Sequence, residues 1–318
     1  MTRCGVLLPT FDPLGTGEPP PVVAAARRAE ALGFDGVWAG DHLACPAPGL
    51  DAPSCLAAAA AVTARVTLGL SVMLLALRPP AWAAKQLQTI EALAGGRLRV
   101  GVGLGGEFPQ EFAAAGVPVH ERGRRVDETL EVLADLLGGR PVRRAGGALG
   151  DLDVPALRPA VAAMPPIYVG GRGEAALRRA ARFGDAWLPM WLTADEVARR
   201  AERLAALAQE HGRPRPRLAL LVGVRVDDDV AAARDAAAAH LRGLYGLDLE
   251  AVERWTALGG VAQVAEHLAA YVEAGVGELI LMPLGAAPLA QYERLAEVRV
   301  HLGLGRPTVS ADQEGARA

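Results

Sequence analysis

Short hydrophobic runs alternate along the chain with longer stretches whose apolar positions recur at helical spacing. Each short run is bounded by turn residues and is too short to make a helix, so it predicts a buried strand. The predicted strands cover residues 4–8, 36–39, 67–72, 99–102, 166–169, 186–188, 218–224 and 278–282. This alternation of strand and helix is typical of an α/β fold with a parallel sheet.

The stretches between the strands predict the helices. After a Pro- and Gly-rich loop at residues 9–21, a helix is expected to run to residue 32, and another includes the alanines at 57–61. Further helices are predicted over 107–137, with a break at 116–118, and over 174–183, 194–211, 230–239 and 261–274. A Gly- and Arg-rich segment, residues 138–163, predicts an inserted loop or hairpin.

Eight strands, each followed by a helix, predict a (β/α)8 TIM barrel. A doubly wound open sheet is the alternative, although no GxGxxG follows the first strand, which counts against its dinucleotide-binding form. The barrel is expected to span residues 1–305 and to leave a polar C-terminal tail at 306–318.

Composition narrows the classes of partner. The hydrophobic fraction of 51% suffices for a large core, and the net charge of −3 gives no reason to expect nucleic acid or a membrane. Cys4, Cys45 and Cys55 form no CxxC pair, so neither a disulfide framework nor a metal site is expected. With no signal-peptide pattern at the N-terminus, a cytoplasmic location is predicted.

Two strand ends carry side chains suited to proton transfer, and barrel enzymes hold their chemistry at the C-terminal ends of strands. Asp41 and His42 follow the second strand, where histidine is suited to exchanging a proton near neutral pH. A loop histidine that caps a helix is the alternative. Glu107 follows the glycines of the fourth strand and would be a general acid if buried. Otherwise it is a helix-terminal carboxylate.

The loop after the fifth strand reads Gly170-Gly171-Arg172-Gly173-Glu174 and opens a helix. Free N–H groups at a helix N-terminus and a nearby arginine favour a phosphate, whereas a tight turn without ligand is the alternative. Three other patterns predict no chemistry. Cys45 has no recognisable catalytic partners in the sequence. The acidic run 227–229 is expected to cap a helix. The charged stretch 122–128 is expected to form an ion-paired helix face.

Seven segments in this order resemble the luciferase-like superfamily, from Cys4 to about Leu302. The segments are GFDGVWAGDHL, LGLSVMLL, EALAGGRLRVGVGLGGEFPQEF, ERGRRVDETLEVL, IYVGG, FGDAWLPM and YVEAGVGELIL. The superfamily has an FMN-dependent monooxygenase branch and a branch that transfers hydride with the deazaflavin coenzyme F420. The match is closer to the second branch.

The resemblance implies site residues by position. It gives His42 the role of taking or giving a substrate proton and places Glu107 by the deazaflavin. It implies a cis peptide between Ser71 and Val72. The cofactor contacts it implies, together with the phosphate loop, are Asp41, Ser71, Val72, Leu74, Gly105, Gly106, Gln110, Gly170, Gly171, Arg172, Gly173 and Glu174.

The chain departs from the sugar-phosphate members of that branch at two positions. Their tryptophan after the histidine is missing from the stretch Leu43–Pro46. Their lysine after the sixth strand is replaced by Met190 and Trp191, and Lys85 is the only lysine of the chain. An apolar pocket of this kind predicts a small, non-phosphorylated organic substrate. The alternatives are an FMN monooxygenase and a non-catalytic flavin-binding protein. A homodimer is a candidate assembly.

Overall fold

The structure is a computed structural model that describes residues 2–304. Its β-strands, in chain order β1 to β12, are Arg3–Leu7, Gly36–Ala39, Thr67–Leu70, Met73–Leu74, Leu98–Gly103, Val142–Arg144, Leu152–Val154, Ile167–Gly170, Ala186–Leu188, Arg217–Val226, Ala257–Gly259 and Glu278–Pro283. Its α-helices, α1 to α11, are Val22–Ala31, Ala52–Val62, Pro80–Ala94, Pro109–Ala114, Arg122–Leu137, Glu174–Phe183, Ala194–Glu210, Val230–Tyr245, Leu249–Val252, Val261–Glu273 and Pro288–His301. Three short 3₁₀ turns connect them, at Leu75–Leu77, Val119–Glu121 and Glu253–Trp255.

Eight parallel strands close into a barrel. The order around the barrel is β1, β2, β3, β5, β8, β9, β10 and β12, and β12 pairs again with β1. The pairing of β9 with β10 joins the edges that an open sheet would leave free. The structure therefore confirms the predicted (β/α)8 barrel and excludes the doubly wound alternative.

The barrel interior is filled by large side chains rather than left as a channel. Trp38 is fully buried and meets Tyr168 edge to face, with ring centroids 5.2 Å apart. Gly69 on the neighbouring strand makes room for it, because a Cβ there would lie 2.0 Å from the Trp38 ring. A second apolar layer lies between the strands and the surrounding helices, as the periodicity of those helices requires.

Most predicted elements are present, with shifted ends. The third strand stops at Leu70 instead of residue 72, and a separate short strand, β4, follows. The segment 138–163 contains an antiparallel hairpin of β6 and β7, as expected. Helices α3 and α11 and strand β11 were not predicted, and α8 extends to Tyr245 because apolar residues continue beyond 239.

Within residues 2–304, no helix combines the length and the apolar character that crossing a bilayer requires. The predicted tail, residues 306–318, lies outside the described residues, and so does residue 305, the predicted end of the barrel.

Candidate functional site

A cavity of about 380 Å³ opens at the C-terminal ends of the barrel strands. The candidate residues that line it are Asp41, His42, Ser71, Val72, Leu74, Gly105, Glu107, Gly170, Gly171, Arg172, Gly173, Met190 and Trp191. They lie at the ends of five barrel strands or in the segments that follow, and the barrel brings these ends together. Its volume suits a cofactor-sized or substrate-sized organic ligand.

His42 is held by a carboxylate that the sequence did not single out. The Nδ1 atom of His42 lies 3.2 Å from each carboxylate oxygen of Glu111, which is fully buried on α4. The backbone N–H groups of Leu43 and Ala44 donate to the same carboxylate, at 2.6 and 3.0 Å. Because an ionised carboxylate only accepts hydrogen bonds, Nδ1 carries a hydrogen and Nε2 is left for the cavity.

The environment of Glu111 keeps it ionised. Burial acts to raise the pKa of the Glu111 carboxyl. The hydrogen bond from His42, those from the backbone of Ala44 and Leu43, and the attraction of the imidazole together outweigh burial and hold the pKa below its ordinary value. The ring of His42 also packs against Phe108, with centroids 5.0 Å apart. His42 is therefore fixed in both orientation and tautomer.

The carboxylate of Asp41 makes its hydrogen bonds to other groups of the protein. Its carboxylate makes a two-pronged contact with Arg78, at 2.6 and 3.0 Å, and accepts the backbone N–H of Leu74 at 2.9 Å. With 4% of its surface exposed, Asp41 lines the cavity mainly as a brace between the loop after β2 and the loop after β4. Arg78 was not predicted, because nothing near it in the sequence marks it.

The predicted cis peptide between Ser71 and Val72 is present, in the break between β3 and β4. Glycines surround Val72. A Cβ on Gly103 would lie 2.2 Å from Cγ2 of Val72, and one on Gly170 would lie 3.0 Å from Cγ1. Gly103 and Gly170, the last residues of the fourth and fifth barrel strands, thus make room for the Val72 side chain.

The glycine loop after β8 leads into α6 with its backbone donors open. Gly173 is the residue before the helix, and no side chain caps it. Gly171 has a φ of 102°, which glycine adopts without strain. The guanidinium of Arg172 lies over Trp191 and Trp255, 5.8 and 5.7 Å from the ring centroids. This combination of free N–H groups and a fixed cation is suited to an anion.

Glu107 and the two predicted substrate residues lie at the rim of the cavity. Glu107 is exposed, so the burial that would make it a general acid is not present. Its charge lies near Tyr245, whose pKa is raised by burial first and by Glu107 in addition. Tyr245 packs on Trp191, with centroids 5.5 Å apart, and Trp191 has a φ of 56° that bulky residues rarely adopt. Such backbone strain is concentrated at functional sites.

Three predicted cofactor contacts lie away from the cavity wall. Gly106 is covered by the side chain of Arg122, and the Gln110 side chain donates to the backbone oxygen of Ala44. The Glu174 carboxylate pairs with Arg203 at 2.8 Å and with Arg178 at 3.0 Å on the exposed side of α6. Such a carboxylate would repel a phosphate, so only the backbone of Glu174 is suited to that contact.

The remaining predictions have mixed outcomes. Asp229 caps α8, as expected for the acidic run.

Cys45 donates to the backbone oxygen of Ala47, and burial raises the pKa of its thiol, which disfavours the reactive thiolate. The ion-paired face expected over 122–128 is wrong at two residues. Arg122 lines the cavity, and Arg125 donates to the backbone oxygens of Ala76 and Ala148 instead of pairing along α5. Arg124 pairs as expected with Glu128, at 3.8 Å.

The residues present suit a phosphate-bearing ring cofactor. The Ser71 hydroxyl is buried at the cavity and has no hydrogen-bond partner among residues 2–304. The Nε atom of Arg122 is likewise unpartnered in that part of the chain. Buried polar groups without partners are costly, so both favour a ligand with complementary polar atoms. Deeper in the cavity, Val72 and Leu188 provide an apolar surface for a ring.

Sequence comparison finds relatives with and without known activity. An uncharacterised protein of Mycobacterium tuberculosis is 33% identical over 214 residues, covering 61% of this chain and 73% of the relative. An F420-dependent glucose-6-phosphate dehydrogenase of Beutenbergia cavernae is 30% identical over 312 residues, covering 88% of this chain and 92% of the relative.

Solved structures with the same fold include users of both cofactors. An F420-dependent secondary alcohol dehydrogenase, solved with an F420–acetone adduct, superimposes with a TM-score of 0.81 at 19% identity, covering 95% of this chain and 99% of the other. The oxygenating constituent of a diketocamphane monooxygenase of Pseudomonas putida, solved with FMN, has a TM-score of 0.75 at 18% identity, with coverages of 94% and 97%. The model of the luciferase-like monooxygenase family matches residues 2–278, and the chain belongs to this family.

Proposed function

We propose that this protein transfers hydride between coenzyme F420 and a small, non-phosphorylated organic substrate, with His42 as the proton donor or acceptor. The observation that carries the proposal is the His42–Glu111 pair at the cavity wall, because it leaves one imidazole nitrogen facing the ligand in a fixed tautomer. When bound, coenzyme F420 supplies the hydride acceptor or donor.

The proton and the hydride take separate routes. When an alcohol is oxidised, Nε2 of His42 would take the hydroxyl proton, and the bound cofactor would supply the acceptor for the hydride from the carbon. Reduction of a carbonyl reverses both transfers. Glu111 stabilises the imidazolium that forms, because its ionised carboxylate faces Nδ1. The loop with Gly171, Arg172 and Gly173 would hold the cofactor phosphate.

The substrate end of the cavity favours an uncharged ligand. Met190 and Trp191 lie where the sugar-phosphate relatives carry a lysine, and Leu221 completes this apolar wall. Lys85 is on α3, where its ammonium donates to the backbone oxygen of Arg158 on the protein exterior. A phosphorylated substrate would therefore find no lysine here, whereas an alcohol or a ketone meets apolar contacts and His42.

The test is a side-by-side titration of the purified protein with F420 and FMN, followed by stopped-flow absorbance of each reduced cofactor with and without oxygen. We expect F420 to bind and its reduced form to be oxidised by a carbonyl compound rather than by oxygen. If only FMN binds and its reduced form reacts quickly with oxygen on the protein, the FMN monooxygenase is the correct function. Binding without turnover of any tested compound would support a non-catalytic flavin-binding protein.

A further inference from the structure

A second cavity, of about 230 Å³, lies beside the first one. It is bounded by the loop after β1, by α8 and by the loop between β12 and α11. Leu7, Phe11 and Leu244 line both cavities and so form the wall between them. The ring of Phe11 also packs against His42, with centroids 5.8 Å apart. A ligand that extends past Phe11 would therefore reach from His42 into the second cavity.

The lining of the second cavity is mostly apolar, and most of its polar groups have partners within the protein. The apolar lining includes Leu8, Met282, Pro283 and the prolines at positions 9, 13, 19, 20 and 21. The Thr10 hydroxyl donates to the backbone oxygen of Gly40 at 3.2 Å, and the Asp12 carboxylate accepts the backbone N–H of Gly17 at 2.9 Å. Glu18 is exposed at the rim.

His240 is the polar residue of the second cavity that keeps one ring nitrogen without a partner. Only 8% of its surface is exposed, and its Nδ1 accepts the backbone N–H of Gly285 at 3.1 Å. Burial lowers the pKa of His240 to about 4, so the ring is neutral near neutral pH. Since Nδ1 accepts, the hydrogen of the neutral ring is on Nε2. Nε2 makes no hydrogen bond within residues 2–304, and it is not among the fully buried polar atoms of that part of the chain, so it opens onto accessible space.

An unpartnered donor in an apolar cavity specifies a ligand. A ligand oxygen that enters the cavity can accept a hydrogen bond from Nε2, which the apolar side chains around it do not provide. The neutral ring offers a donor but no positive charge, so an anion buried beside it in this apolar lining would stay uncompensated, and a neutral acceptor is favoured. The apolar lining selects hydrocarbon around that acceptor.

We infer that the second cavity binds the distal part of the substrate, an apolar group with one oxygen that accepts a hydrogen bond from Nε2 of His240. The substrate class is then an elongated, uncharged alcohol or ketone with a second oxygen, as carbonyl, ether or hydroxyl, remote from the reacting carbon. The identification of the ligand as the substrate rests on the proposed function, whereas the ligand chemistry of the cavity does not.

The experiment uses two probes of the same shape, 2-acetylnaphthalene and 2-ethylnaphthalene, titrated by ligand-observed NMR against the protein without cofactor. In His240→Asn the amide oxygen replaces Nδ1 as the acceptor for Gly285, but no donor reaches the position of Nε2. In His240→Gln a donor is kept near that position. Ala286→Trp fills the second cavity, because Ala286 lines that cavity and not the first.

We expect His240→Asn to weaken binding of the ketone about tenfold and to leave the hydrocarbon unchanged, since one neutral hydrogen bond is lost. His240→Gln should keep most of the ketone affinity, and Ala286→Trp should abolish binding of both probes. Absence of binding to the unmodified protein, an equal effect of His240→Asn on both probes, or full binding to Ala286→Trp would overturn the inference.

Turnover distinguishes this inference from the proposed function. If the probes discriminate as expected but reduced F420 is oxidised by no carbonyl compound, the proposed function fails and the cavity assignment stands. If F420-dependent turnover of an elongated ketone is found, its KM should rise about tenfold in His240→Asn with kcat nearly unchanged. Turnover of the elongated ketone with an unchanged KM in His240→Asn would overturn the inference about the second cavity but leave the proposed function standing.

Discussion

At the scale of single residues, the site depends on a contact between parts of the chain 69 residues apart. His42 follows β2, and Glu111 lies on α4, with Nδ1 of His42 3.2 Å from the carboxylate. The same carboxylate holds the backbone of Leu43 and Ala44. Glu111 therefore positions the histidine and the loop after it at once, while His42 itself faces the cavity.

We expect Glu111→Gln to lower kcat about 100-fold or more while the cofactor Kd changes little. The glutamine oxygen would still accept from the backbone of Leu43 and Ala44, so its NH₂ group would face Nδ1. The hydrogen of the His42 ring would then move from Nδ1 to Nε2. A protonated Nε2 cannot take a proton from an alcohol. The measurement is single-turnover absorbance of F420 reduction by an alcohol.

The kcat of Glu111→Gln is compared with that of two further variants, His42→Ala and Glu107→Gln. Removing His42 should lower turnover by roughly 100-fold or more. Glu107→Gln should change turnover little, because the exposed Glu107 lacks the burial that a general acid requires. A Glu111→Gln enzyme with normal kcat and an unchanged pH profile would show that the carboxylate has no positioning role.

Acid stability gives a second residue-scale prediction for Glu111. Its pKa is lowered in the folded state, so the ionised carboxylate stabilises the fold in full above its ordinary pKa of 4.5, and this stabilisation is lost as the pH falls through the folded value. Chemical denaturation from pH 6 to about pH 3 should show a shallower loss of stability in Glu111→Gln than in the unmodified protein. Glu250→Gln, at an exposed position on α9, is the control and should follow the unmodified protein. Identical slopes for all three proteins would contradict the prediction.

At the scale of elements, the start of α6 and the break between β3 and β4 shape the cavity. Both depend on glycines, but for different reasons. Gly171 adopts a backbone conformation that other residues avoid, whereas Gly103 is needed for space next to Val72. The two features meet in one cavity, because Val72 in the break lies against Gly103 and against Gly170, which ends β8 before the loop to α6.

The double variant Arg172→Ala, Gly173→Val should lose cofactor affinity by tenfold or more while it keeps its fold. Gly173 has an ordinary φ of −85° and open space around it, so valine fits there. The variant removes a charge-assisted contact and crowds the free N–H groups of α6. Fluorescence titration with F420 measures the loss. Arg178→Ala on the same helix, whose side chain pairs with Glu174, is the matched control. Unchanged F420 affinity in the double variant would disprove the phosphate site.

Gly103→Ala should destabilise the protein by about 1–3 kcal/mol, because the new Cβ would lie 2.2 Å from Cγ2 of Val72. Adding Val72→Ala removes that Cγ2 atom, so the double variant should regain part of the loss. A double-mutant cycle by chemical denaturation measures the coupling. Additive free energies of unfolding in the two variants would mean that this contact does not constrain Gly103.

At the scale of the whole molecule, closure of the barrel decides what the cavity contains. The pairings of β12 with β1 and of β9 with β10 bring the loops after the first and last strands together. The second cavity exists only because of that closure, since the loop after β1 meets α8 and the loop after β12 there. Ligand binding should therefore stabilise the folded barrel as a unit.

We expect F420 at about 100 times its Kd to raise the unfolding midpoint by roughly 4 °C. Binding to the native state alone contributes about 2.7 kcal/mol at that concentration, and a chain of this size gains about 1.5 °C per kcal/mol. Differential scanning fluorimetry with F420 and FMN measures both shifts. The Arg172→Ala, Gly173→Val variant should lose the shift with F420. A larger shift with FMN would favour the monooxygenase instead.

Local patterns in the sequence were enough to predict the barrel, most of its strands and the strand-end residues. Hydrophobic periodicity is a local signal, and the length of each apolar run reports a strand before any contact forms. The order of motifs likewise led to His42, to the glycine loop at 170–173 and to the cis peptide at Ser71. These features depend on neighbouring residues or on the order of segments, both of which a sequence contains.

Only the tertiary structure decided which side chains act together. Glu111 looks like an ordinary helix glutamate in the sequence, as Arg122 looks like part of a charged helix face, and His240 has no motif around it at all. Their roles arise from partners brought near by barrel closure and from burial among residues distant along the chain. Periodicity predicts that a helix has a buried face, but it does not predict which polar group on another element that face meets.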